Sequence, residues 1–137
     1  MKLHCAYTFG LSMALATAAC SAGQEPSPCH SDLEISVVSA EELRFDWRPN
    51  CGIAALAVSE SPSPGEPGPT RWWIRTHDEA NTIESGVVYG DAPSGTTTLT
   101  PESPLEVGQT YNVSLIFYTA FPDGQREIHV ESVLFTR

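Results

Sequence analysis

Leu33-Glu34-Ile35-Ser36-Val37 and Leu43-Arg44-Phe45-Asp46-Trp47-Arg48 decide the fold. In both, an apolar side chain falls on every second residue. Asp32, Glu34 and Ser36 separate the first set, and Glu42, Arg44, Asp46 and Arg48 separate the second. A period of two marks a strand with one face in a core and the other in water. Folding the segment about Ala40 makes a hairpin that sets residue 29 opposite residue 51, and both are cysteines. One register therefore predicts both the hairpin and a Cys29–Cys51 disulfide closing its open end, worth about 3 kcal/mol in the chain-entropy picture.

Downstream, Ile53 to Val58 is a small-residue apolar run suited to a central strand, and Ser61 to Pro69, with four prolines and two glycines, can only be an exposed loop. Strands are expected again at Arg71 to Thr76, Ile83 to Tyr89 and Thr96 to Thr100. Tyr111, Val113, Leu115 and Phe117 share one face of the next strand. Phe121-Pro122-Asp123-Gly124 is a hairpin turn, and Ile128 to Phe135 is the last strand. No stretch of this part carries apolar residues at helical spacing, so the expectation is an all-β antiparallel fold of about seven or eight strands.

These residues resemble the fibronectin type III family of immunoglobulin-like two-sheet sandwiches over about residues 31–137. Leu43 to Pro49 looks like the family's second strand with its buried tryptophan, here Trp47. Leu105-Glu106-Val107-Gly108-Gln109-Thr110-Tyr111 looks like the corner in which a tyrosine hydroxyl, here that of Tyr111, ties the chain down. The resemblance implies a spacer or binding scaffold; the residues themselves, taken up below, lead us to expect no catalytic residue and no cofactor.

Toward the N-terminus, Met1-Lys2-Leu3-His4 is a short basic start, and Ala6 to Ala19 has the length and composition of a signal-peptide apolar region. It closes on Leu15-Ala16-Thr17-Ala18-Ala19-Cys20, which resembles the lipobox of bacterial lipoproteins. The resemblance implies cleavage after Ala19, diacylglycerol on the Cys20 thiol and attachment to the cell envelope. Ser21 after the cysteine resembles outer-membrane lipoproteins of Gram-negative bacteria. Ala16-Thr17-Ala18 also has the form of an ordinary signal-peptidase site, which would give free secretion. Cysteine parity bears on the choice: with Cys5 removed and Cys20 lipidated, Cys29 and Cys51 remain as a pair suited to an oxidising compartment. The expected organisation is a signal peptide at 1–19, a lipidated cysteine and polar, proline-bearing tether at 20–30, and the sandwich at 31–137.

The formal net charge of the whole chain is −10, and its one lysine, Lys2, lies in the signal peptide. An acidic surface of this kind repels phosphate backbones and anionic lipid headgroups, so nucleic acid is excluded as a partner and membrane attachment falls to the lipid. His30, His77 and His129 are scattered, and nucleophile-elbow and phosphate-cradling motifs are absent. His77-Asp78-Glu79 gathers three metal-ligand types, but neighbours in one loop do not converge on an ion. Asn112-Val113-Ser114 has the form of a glycosylation sequon inside an expected strand. The segment that invites a ligand is Arg71-Trp72-Trp73-Ile74-Arg75. Alternation sends Trp72 and Ile74 into the core, and puts Arg71, Trp73 and Arg75 on the outer face, with Ile116 and Tyr118 on the same sheet. An aromatic patch framed by arginines suits a protein or glycan partner; the competing expectation is that the arginines merely stack over Trp73 and shield it.

Overall fold

The computed structural model describes residues 25–30 and 32–137; the expected signal peptide at 1–19 and Cys20 lie outside the described residues. The described chain is all-β, with eight strands in two antiparallel sheets and no helix among the described residues. The strands are β1 (Glu34–Ser39), β2 (Leu43–Arg48), β3 (Ala55–Glu60), β4 (Thr70–Thr76), β5 (Val87–Val88), β6 (Thr96–Thr100), β7 (Thr110–Ala120) and β8 (Arg126–Thr136). A small sheet has the order β1-β2-β5 and a large one β6-β4-β3-β7-β8.

The inward rows of the two sheets form one core. Phe45 and Trp47 come from the small sheet; Leu56, Trp72, Ile74 and the alternating set Tyr111, Val113, Leu115 and Phe117 come from the large one. Phe45 meets Phe135 edge-on across the sheets at 5.9 Å. Trp72 is wholly buried against Tyr89 at 5.3 Å, and its indole nitrogen has no hydrogen-bond partner. The Tyr89 hydroxyl donates to the carbonyls of Ser103 (2.7 Å) and Arg71 (3.2 Å), and burial pushes its pKa up. Tyr111 does tie down the corner before β7: its hydroxyl oxygen accepts the Glu106 amide at 2.7 Å.

Two details differ from the sequence expectation. The β1–β2 ladder runs from Glu34↔Arg48 to Ser39↔Leu43, which centres the hairpin on Glu41 rather than Ala40, with a three-residue connection. Carried outward, that ladder would leave the two cysteines two places out of step. They are joined all the same, with Cα atoms 4.8 Å apart, because the chain bends at Asp32 (φ 69°) and Ser27–Cys29 runs parallel beside Gly52. The Gly52 amide donates to Ser27 O (2.8 Å) and the Cys29 amide to Gly52 O (2.9 Å). Ser27 to Cys29, placed in the expected tether, are thus bonded to the sandwich. Second, Ile83 to Tyr89 is not one strand. Ile83 makes an isolated bridge to Ile53, Gly86 turns the chain at φ 101°, and only Val87–Val88 pairs with β2.

Two outcomes follow for stability. Replacing Cys29 and Cys51 together with serine frees a loop spanned by 22 residues and should lower unfolding free energy by about 3 kcal/mol, read as a lower urea midpoint. Tyr111→Phe leaves the Glu106 amide without its acceptor and should cost about 1–3 kcal/mol, with an unchanged denaturant slope.

Candidate functional site

The outer face of the large sheet follows from what its strands bury. With Trp72 and Ile74 turned inward, Arg71, Trp73 and Arg75 of β4 must turn out. The same parity turns Asn112, Ser114, Ile116 and Tyr118 of β7 outward. Between them runs β3, whose outward residues are Ala55, Ala57 and Ser59. The ladder pairs Ala57 with Trp73 on one side and Ser114 on the other, and Ala55 with Arg75 and Ile116. A lane of small side chains therefore separates the Trp73 row from the Ile116 row, and all five residues singled out in the sequence share this face. Trp73 is 37% exposed.

The arginines are not equivalent. Arg71 is held by the Glu60 carboxylate through both its Nε (2.6 Å) and its Nη2, and this hydrogen bond raises the guanidinium pKa. Arg75 has no ion pair among the described residues. The guanidinium that does lie over a ring on this face is that of Arg126, 5.7 Å from the Tyr118 centroid and paired with Glu79 at 3.2 Å. Tyr118 is thus partly capped, while Trp73 has no arginine in that position among the described residues. Asn81 fixes the Tyr118 backbone from both sides: its Nδ2 donates to Tyr118 O (2.7 Å) and its Oδ1 accepts the Tyr118 amide (3.0 Å).

Beside the lane lies an open cleft of about 580 Å³, bounded by the Ser61–Pro67 loop and floored by Ser59, Asn112, Ser114 and Ser132. Asn112 Nδ2 donates to Ser114 Oγ (3.0 Å), and the Ser114 and Ser132 hydroxyls are 2.9 Å apart. This band of hydroxyl and amide groups is bordered by Val133, Leu134 and Pro67, with Glu60 and Glu66 on the wall.

His77, Asp78 and Glu79 do not act together: His77 Nδ1 lies 3.0 Å from Thr97 Oγ1, while Glu79 is engaged with Arg126. Among the described residues no group of three or more metal-ligating side chains is placed to hold an ion. His129 stacks on Phe117 at 5.1 Å.

Sequence reading missed the outward row of β8. Ile128, Val130 and Leu134 are 62%, 57% and 47% exposed, while Glu127, His129 and Glu131 stand on the opposite face. Burial preference alone would turn this strand over. Its pairing with β7, Tyr118↔Ile128 through Asn112↔Leu134, fixes the faces instead. The visible signal is three apolar residues at even positions, Ile128, Val130 and Leu134, with the acids Glu127 and Glu131 at odd ones.

No protein-family model, no curated protein and no solved structure matches this chain.

Proposed function

We propose that this chain is an exported, lipid-anchored interaction module of the cell envelope, with a fibronectin type III-like sandwich and no catalytic activity of its own. The outer face of its large sheet receives a partner. The observation that carries this reading is the placement of Trp73, Arg75 and Ile116 around the Ala55–Ala57 lane, with Trp73 37% exposed and uncapped by arginine among the described residues. Tryptophan and arginine are the side chains that most often dominate binding energy, and small residues beside them leave room for a ligand to approach. A glycan is the second reading. The hydroxyl and amide floor formed by Ser59, Asn112, Ser114 and Ser132 favours it, because it lies across the same lane from an indole.

The anchor and the face are tested separately. Mass spectrometry of the mature chain should find an N-terminal Cys20 carrying diacylglycerol, and Cys20→Ser should release the protein from membranes; an unmodified chain beginning at Ala19 contradicts the anchor. For the face, wild type and Trp73→Ala are compared for binding to immobilised envelope proteins and glycans. Loss on the order of thirtyfold in affinity is expected, as for a binding hot spot. Binding unchanged by Trp73→Ala contradicts the reading, and retention by proteins or by glycans alone decides between the two partners.

A further inference from the structure

β8 is an edge strand 11 residues long, and the ends of its hairpin with β7 set the direction of its peptide groups. The Phe121 amide donates to Gln125 O (2.8 Å) and the Arg137 amide to Gln109 O (3.1 Å). Hydrogen-bonded and non-hydrogen-bonded pairs alternate, so odd-numbered residues of β8 address β7 and even-numbered ones address the free edge. On the other side of β7, the Ala54 amide donates to Ile116 O, which fits the same parity. Among the described residues no strand pairs with that free edge.

The residues whose backbones face the edge include those whose side chains form the exposed apolar row, Ile128, Val130 and Leu134. Long edges are commonly guarded by proline, a bulge or outward lysine. β8 has no proline and no lysine, and its register with β7 is unbroken through all its residues. Its one outward charge, Arg126, stands at the first residue of the strand and is taken up by Glu79 and Tyr118, while Glu127, His129 and Glu131 point inward. Inward charges discourage indiscriminate pairing, and here they also discriminate between registers.

We propose that β8 pairs antiparallel with β8 of a second copy of this chain, about a two-fold axis at Val130. Parity admits only registers that set even residues against even ones. Centring on Val130 puts Val130 against itself and Ile128 against the second copy's Ser132 on the outer face. On the inner face it sets His129 against the second copy's Glu131, twice, and Glu127 against Val133. Moving the centre to Glu131 opposes two Glu131 carboxylates; moving it to His129 opposes Glu127 to Glu131. Like charges directly opposite each other destabilise a ladder. Centring on Ile128 opposes no like charges, but it pairs only residues 126–130 of the strand, against 126–134 for Val130, and sets Glu131 against Gln125 of the turn. Centring further along, on Ser132, brings the new strand against the end where Arg137 is bonded to Ser39 Oγ (2.6 Å) and Val133 and Phe135 are packed on the core. The Val130 register makes one continuous ten-stranded sheet, and its two-fold axis, perpendicular to that sheet, puts both Trp73 faces on the same side.

The test uses the full chain with a single added cysteine, gently oxidised and run on a non-reducing gel. Residues directly opposite in a hydrogen-bonded pair have Cα atoms about 5.5 Å apart, within disulfide range, whereas two Ser132 residues would be about 14 Å apart along the strands. Val130→Cys should therefore give on the order of tenfold more covalent dimer than Ser132→Cys. Equal yields overturn the proposal, as they would if residues 1–24 of the same chain covered the edge or if dimers formed only by collision. Sedimentation adds a second readout: wild type should self-associate, and Val130→Arg, with an unchanged circular dichroism spectrum, should remain monomeric. Wild type that is monomeric throughout also overturns it.

Discussion

The structure depends on four residues, Cys51 to Ala54, where the chain leaves the small sheet and enters the large one. All four are buried, and a buried peptide group without a partner costs about 1–3 kcal/mol. Each finds one. The Trp47 indole donates to Cys51 O (2.9 Å), Gly52 exchanges bonds with the Ser27–Cys29 segment, Ile53 exchanges two with Ile83, and Ala54 bonds to Ile116 O and receives the Thr76 amide. Gly52 cannot be replaced cheaply, since a Cβ there would lie 2.0 Å from the Asn81 carbonyl oxygen. Asn81 in turn holds the backbone of Tyr118. The crossing thereby joins the N-terminal segment, the buried tryptophan of β2 and the outer face of β7.

With the crossing set, the outer face follows from parity and charge pairing. Burial of Trp72, Ile74 and the β7 set sends Trp73, Ile116 and Tyr118 outward. Arg71 is then committed to Glu60, and Arg126 to Glu79 and Tyr118. Arg75 is left beside Trp73 as a cation without an ion pair among the described residues, in a chain of net charge −10. The surface has two unlike halves. One is a cleft against the Ser61–Pro67 loop with a band of hydroxyls in its floor, and the other is the exposed apolar row of β8, whose Leu134 also lines the cleft.

Period-two alternation made β2, β4 and β7 legible from the sequence, faces included, because each has one fully buried row. The proline-rich loop after β3 and the Phe121–Gly124 turn were legible for the same local reasons. The disulfide was legible as a pair, but its geometry was not. The odd-length connection at Ala40–Glu42 moved the hairpin centre, and the left-handed backbone at Asp32 restored the match. Between Ile83 and Tyr89 two buried residues suggested one strand, but Gly86 separates a bridge to β3 from a pairing with β2. β8 was illegible in its faces because cross-strand pairing with β7, not its own burial preference, decides them. The cap on Tyr118 joins residues far apart in the chain, Glu79 and Arg126, and no local pattern announces it.

The central claim is that β8 offers its even-numbered peptide groups at an edge with which no strand among the described residues pairs. Amide hydrogen exchange, resolved by residue and followed over a range of protein concentrations, tests it most directly. Amides of His129, Glu131 and Val133 should be protected at every concentration, since they address β7. Those of Ile128, Val130 and Ser132 should exchange quickly in dilute solution and slow as concentration rises. Even-numbered amides that are protected at all dilutions, or that never become protected, would contradict the account.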